Sequence, residues 1–174
     1  PPPPKPLCTM SMDYVVRSRS HESEFMKWFA IVSPTDALKR VYDDYLIGAT
    51  KDHGVIFWQI DEEQRVRSGK IMHYGADGHR KGNPSWTHAS LIYNRILPDD
   101  WTLSQCFFGE HLLPLYPDRK VFVVESEKTA VIASHFMPDV LWIATGGKNG
   151  CFNERTVSVL AGRDVVLMPD LGAT

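Results

Sequence analysis

Two carboxylates, Glu125 and Asp170, stand where acidic residues do chemistry in open parallel sheets. Glu125 directly follows the apolar run VFVV (Val121–Val124), and Asp170 follows VVLM (Val165–Met168) after a single proline. Ligands of such sheets bind outside the carboxyl ends of the strands. If both runs are parallel strands, both acids emerge at one edge, together with Thr145, Gly146 and Gly147 from the loop after LWIA (Leu141–Ala144). Carboxylates completed by water and substrate phosphate are the usual way to hold Mg2+. Phosphoryl and nucleotidyl transfer need such ions to neutralise charge on the attacking and leaving oxygens. Acids at strand ends and helix starts also cap amides and complement the helix dipole, so the pattern alone leaves both readings open.

Other residues carry weaker signals. Glu127 falls in the first turn of the helix expected after Ser126, either behind the metal ligands or as a dipole partner. Lys128, near the same helix start, is placed to reach a phosphate or to sit in solvent. Arg65, Arg67 and Lys70 lie on one expected strand, with Arg65 and Arg67 on the same face because strand side chains alternate. With His79, Arg80 and Lys81 they make a basic patch that either tracks a phosphate backbone or is a solvated sheet face. The seven histidines show no ligand spacing. Trp28, Phe57, Trp58, Phe107 and Phe108 read as core, with base stacking as the other use of such rings.

The elements that must position these residues are legible in part. Pro1 to about His21 reads as a Pro-rich linker. Phe25, Trp28, Phe29 and Val32 recur at helical spacing. Ser33 and Pro34 read as N-cap and first position of a second helix, with Leu38, Val41, Tyr42 and Tyr45 as its apolar face. GVIFWQI (54–60), DEEQ (61–64) and RVRSGKIMHY (65–74) read as a β-hairpin, and GADGHRKGNPS (75–85) as a polar loop. A short helix is expected near Gly109–Leu113. Beyond residue 119, three buried strands alternate with helices at Glu127–Phe136 and Asn153–Leu160, which implies parallel βαβ units. The fold class is therefore α/β: a parallel βαβ unit (119–174) preceded by an α+β subdomain with a β-hairpin (22–118).

Composition bounds the remaining classes. The 174 residues are 43% hydrophobic and 23% charged, enough for a core and too apolar for bulk disorder. A formal charge of −2 means that any nucleic-acid contact comes from a local patch. Cys8, Cys106 and Cys151 form no CxxC pair, which argues against a zinc ribbon and for reduced thiols in a cytoplasmic protein. No apolar run approaches the roughly 18 residues that span a bilayer, and PPPPKP is not a signal peptide, so no membrane partner is expected. A first residue that is Pro, and last residues that interrupt a motif, read as a piece of a longer chain.

VFVVESEKTA followed by LWIATGG and RDVVLMPD resembles the toprim domain of bacterial-type primases, type IA and II topoisomerases and some nucleases. Upstream, YLIGATKDHGVIFWQIDEEQRVRSGKIMHY and CFFGEHLL resemble, in order, the hairpin segment and helical lead-in of bacterial and phage primases, in particular primase-like proteins of mobile elements. The resemblance covers about residues 36–174. It implies metal-dependent nucleotidyl transfer on single-stranded DNA during replication of a mobile or phage-like element. The implied cofactor is Mg2+ or Mn2+, and the implied partners are single-stranded DNA, nucleotides and a replicative helicase. By that resemblance Glu125 is the acid/base or metal-associated glutamate and Asp170 the first acid of an Asp-x-Asp motif, while Lys128, Arg65, Arg67, Lys70 and Lys81 would meet phosphates. Two positions depart from the pattern: Gly172 replaces the second aspartate, and Ser126 replaces a customary glycine. A catalytically degenerate toprim module that binds nucleic acid, a toprim-type nuclease and a metal-free α/β protein are the competing readings.

Overall fold

Val55–Ile60 (β2) is buried at every residue, and its two faces organise the molecule. The computed structural model describes residues 7–147 and 150–170. In chain order the helices are α1 (Met12–Ser18), α2 (Glu24–Val32), α3 (Ala37–Asp44), α4 (Thr87–Tyr93), α5 (Glu127–Phe136) and α6 (Glu154–Val157). The other strands are β1 (Gly48–Ala49), β3 (Val66–Tyr74), β4 (Arg80–Trp86), β5 (Val121–Val124), β6 (Leu141–Ala144) and β7 (Val165–Met168), with 3-10 turns at Glu110–Leu115 and Ser158–Leu160. Strands β1-β2-β3-β4 form an antiparallel sheet, and β6-β5-β7 a parallel one. The expected mixed α/β class is the observed one.

Val55 and Phe57 of β2 face a large core that also takes Phe25 and Phe29 of α2, Val41 of α3, Phe107, Phe108, β5, β6 and Val131 of α5. Phe57 meets Phe108 edge-on at 5.4 Å, Tyr45 stacks on Phe108 at 5.0 Å, and the Tyr45 hydroxyl donates to the Trp142 carbonyl at 2.6 Å. Phe108 exchanges two backbone hydrogen bonds with Ala144, which fastens the segment before the 3-10 turn to β6. The two parts expected as 22–118 and 119–174 thus share one core. Ile56, Trp58 and Ile60 point to the opposite face, into a second cluster with Met10, Val15, Val66 and Trp101.

Four expectations are corrected. Within the segment read as a linker, residues 8–20 form an ordered arm. Met10 bridges Val66, Ser11 caps α1, Val15 is 1% exposed, and the Trp58 indole donates to the Ser18 hydroxyl. Pro1–Pro6 lie outside the described residues. The 75–85 loop is a turn closed by the Gly75 amide on the His79 carbonyl, followed by edge strand β4. Helix α3 begins at Ala37 after Asp36, and the Ser33 hydroxyl is used instead against His135 Nε2. The helix expected over Asn153–Leu160 is a short α-turn and a 3-10 turn, opened by an Asn153–Thr156 capping box.

The parallel register sets the site. Val124 pairs with Ala144 on one side and Met168 on the other. The next residues, Glu125, Thr145 and Pro169, therefore leave the sheet at one level. Ser126 caps α5 by accepting the Thr129 amide at 3.0 Å, which turns the chain into a helix one residue after Glu125.

Candidate functional site

A cleft of about 360 Å³ lies between that sheet edge and the β3–β4 turn, lined by Glu125, Glu127, Lys128 and Asp170 on one side and Lys70, Tyr74, Gly78 and Arg80 on the other. Glu125 is held from both ends. Its carbonyl accepts the amides of Gly146 (2.9 Å) and Gly147 (2.8 Å), a turn that needs the left-handed φ of +86° and +112° that glycine adopts without strain. Its carboxylate Oε1 lies 3.3 Å from the Asp170 amide. The two acids expected to share a site are thus neighbours, with Glu125 half-buried and Asp170 exposed.

Lys70 sits deeper than a phosphate-tracking lysine would. It lies mid-strand, opposite Phe57 on β2 and Trp86 on β4, and is 8% exposed. Its ammonium is 3.0 Å from Glu127 Oε1, donates to Oε2 at 3.2 Å and to the Gly146 carbonyl at 2.8 Å. Glu127, 4% exposed, is therefore a buried ion-pair partner. Behind Gly146 the buried Gln59 side-chain amide donates to Gln105 at 3.0 Å. A Cβ at Gly146 would come within 3.3 Å of Glu127 Oε1.

Lys128 is likewise engaged. Its ammonium donates to the Gly78 carbonyl and lies 4.6 Å and 5.3 Å from the centres of the Trp28 and Tyr74 rings. Burial lowers its pKa from the ordinary lysine value. His79 and Arg80 are exposed at the cleft mouth, while Lys81 is exposed on β4 and does not line the cleft.

Arg65 and Arg67 belong elsewhere, so the expected basic patch divides. They share a face as alternation requires, but both donate Nε to Asp61 Oδ2 at 2.8 Å, and Arg67 also reaches the Ser104 carbonyl. They line a second cleft of about 240 Å³ with Gln105, Cys106, Glu110 and Arg155. Burial opposes ionisation of Asp61, but hydrogen bonds from the Arg65 amide and both arginine side chains prevail and hold its pKa below the usual carboxylate value. Glu110 has no such partner: burial pushes its pKa up to about 7 against the hydrogen bonds it accepts from Phe107 and Glu62 amides. Gln59 and Glu110 are buried polar residues beside the two clefts that the sequence reading did not single out. Gln59 interrupts the otherwise apolar GVIFWQI, and Glu110 sits inside CFFGEHLL; a polar group inside an apolar run was the available signal.

The donor set suits a hard divalent cation in part. Glu125 and Asp170 offer carboxylate oxygens at the cleft, the arrangement in which Mg2+ keeps water and takes its remaining oxygens from phosphate. Among the described residues no three His, Cys, Asp or Glu side chains converge on a metal position, so an all-protein cage is not what these residues build. Gly172, the position of the missing second acid, lies outside the described residues, as do Lys148 and Asn149 of the glycine loop.

A family model described as Domain of unknown function (DUF6371) matches residues 23–171. No curated protein matches the sequence.

Proposed function

The chain belongs to the DUF6371 family, and we propose that it is a toprim-type, primase-like protein that carries out metal-assisted nucleotidyl transfer on single-stranded DNA in the replication of a mobile or phage-like element. The observation that carries this reading is the contact between Glu125 and the Asp170 backbone at the carboxyl edge of the parallel sheet. A parallel sheet presents its ligands there, and the cleft in front of these acids is walled by the antiparallel sheet, whose Arg80 and His79 face incoming phosphates. Glu125 and Asp170 would hold Mg2+ or Mn2+. When bound, such an ion neutralises charge on the attacking and leaving oxygens. Glu125 is also the base within reach of a sugar hydroxyl laid in the cleft, and Arg80 orients the phosphate. Free thiols at Cys8, Cys106 and Cys151 fit a cytoplasmic protein. No helix among the described residues is long and apolar enough to cross a membrane. A replicative helicase would be the partner of such an activity.

One observation favours a second reading, a module of the same fold that binds nucleic acid without chemistry. Lys70 neutralises Glu127, which leaves Glu125 and Asp170 as the unpaired cleft carboxylates among the described residues. Calorimetric titration with Mn2+ separates the two. The catalytic reading expects binding by the unmodified chain that is lost in both Glu125→Gln and Asp170→Asn. Binding that survives both substitutions would remove these acids from the site.

A further inference from the structure

Lys70 carries its ammonium into the carboxylate cleft from a different sheet, and this placement has a chemical meaning. The charge is fixed rather than solvated: the lysine lies in the middle of β3, paired to strands on both sides, with its side chain 10% exposed. Its partners are oxygens of the kind a hard cation takes, namely both carboxylate oxygens of Glu127 and the carbonyl of Gly146. Gly146 belongs to the turn whose amides hold the Glu125 carbonyl, so the ammonium touches the scaffold that positions Glu125. Glu127 Oε1 is buried, lines the cleft, and accepts no hydrogen bond among the described residues. It stands 3.0 Å from the ammonium with a lone pair to spare. A buried ion pair is seldom retained for stability, since well-packed apolar residues do as well. A pair placed in the wall of a ligand cleft has another use.

We infer that Lys70 is a built-in cation of this cleft: its ammonium occupies a position that a divalent ion would otherwise take beside Glu127 and the Gly146 carbonyl. The inference rests on the metal reading of Glu125 and Asp170 only for the ion next to it. Where two-metal centres use a pair of ions about 4 Å apart to clamp a transferring phosphate, this chain supplies one of the two charges covalently. Glu127 is consequently withheld from metal binding as long as Lys70 is present.

Counting Mn2+ per chain by calorimetry and by the electron-spin signal of free Mn2+ tests this, using the full chain and its Lys70→Met variant. Methionine keeps the apolar stem and removes the charge. The variant is expected to bind one Mn2+ more than the unmodified chain, Lys70→Arg to bind the same number, and Lys70→Met combined with Glu127→Gln to return to the unmodified count. A rise from one ion to two supports both this inference and the metal reading. A rise from none to one supports the built-in cation while removing the metal site from the unmodified chain. An unchanged count overturns the inference, whether that count is one, which leaves the metal reading standing, or none, which removes both. A double variant that keeps the extra ion also overturns it. If Lys70→Met does not fold alone, recovery of its far-UV spectrum on refolding with Mn2+ supports the inference, and failure to recover overturns it.

Discussion

Oε1 of Glu125 lies 3.3 Å from the backbone amide of Asp170, a contact that spans 45 residues of chain. It ties the end of central strand β5 to the end of edge strand β7. Glu125 thus has two separable duties, as an acceptor that places Asp170 and as a charge in the cleft.

Substitution can part these duties. Glutamine at position 125 keeps a carbonyl acceptor for the Asp170 amide and loses the charge; alanine loses both. Mn2+ affinity is expected to fall at least about tenfold in each, a difference of about 1.4 kcal/mol. Stability is expected to fall only in Glu125→Ala, by about 1 kcal/mol, the usual net worth of one hydrogen bond. Calorimetry and urea denaturation read the two effects. Equal stability loss in both variants would show that the contact does not hold Asp170.

The shared core predicts that the two sheets unfold together. Phe108 is wholly buried between Phe57 of the antiparallel sheet and Tyr45, and it bonds through its backbone to β6. Phe108→Ala should cost about 3–5 kcal/mol, the range for deleting a buried aromatic ring, and should displace the whole transition. Far-UV dichroism and tryptophan fluorescence should give coincident urea curves in both proteins. Trp58 and Trp142 report on opposite sheets, so separated curves would mean two independent units.

The sequence announced the parallel unit because its signals are local. VFVV and LWIA are short apolar runs that suit strands buried on both faces, and Ser126 is a cap placed one residue after Glu125. Strand β4 gave no such signal. Arg80–Ser85 are exposed, so RKGNPS has no inward face to alternate, and its strand state comes from pairing with β3. Arm α1 was hidden by its polar, Pro-led context, since only the packing of Val15 and Met10 beneath β2 reveals it. The strand position of Lys70 was legible, and its ion pair with Glu127 was not. Alternation specifies a face, but Glu127 lies 57 residues downstream. For Arg65 and Arg67 the partner was in plain view, because Asp61 precedes them by four and six residues at the hairpin turn.

Glu110 makes stability pH-dependent in a window where ordinary carboxylates do not titrate. Its neighbours are Asp61, Arg67 and the Cys106 and Cys151 thiols, and burial raises its pKa from an ordinary 4.5 to about 7. The folded state therefore holds an extra proton between those values. The stability it contributes is fully present below pH 4.5 and lost as pH rises through 7, by about 3 kcal/mol at about 1.4 kcal/mol per pH unit. Denaturation at pH 5 and pH 8 should show the unmodified chain losing stability across the interval. Glu110→Gln should flatten that slope and be the more stable protein at pH 8. A slope unaltered by the substitution would assign the dependence to another group.

Gly78 and Gly82 offer a controlled comparison of the cleft wall. Both have left-handed backbone, with φ of +75° and +69°. A Cβ at Gly82 would meet nothing within 4 Å, whereas one at Gly78 would come within 2.3 Å of Trp28 Cε2. The same Trp28 ring lies under the Lys128 ammonium, which donates to the Gly78 carbonyl. Gly82→Ala should cost only the backbone penalty, about 1–2 kcal/mol. Gly78→Ala adds overpacking of about 1–3 kcal/mol and pushes Trp28 away from Lys128, so it should destabilise by about 2–5 kcal/mol. Lys128→Met leaves the turn intact and removes only the ammonium, at a cost of about 1–2 kcal/mol. Because Lys128 is spent on this wall, its removal should leave the salt dependence of single-stranded DNA binding unchanged, while Arg80→Ala should shallow it by about one counterion. Urea denaturation and salt-titrated fluorescence anisotropy measure the two sets. A shallower salt slope in Lys128→Met would return Lys128 to the phosphate-binding residues.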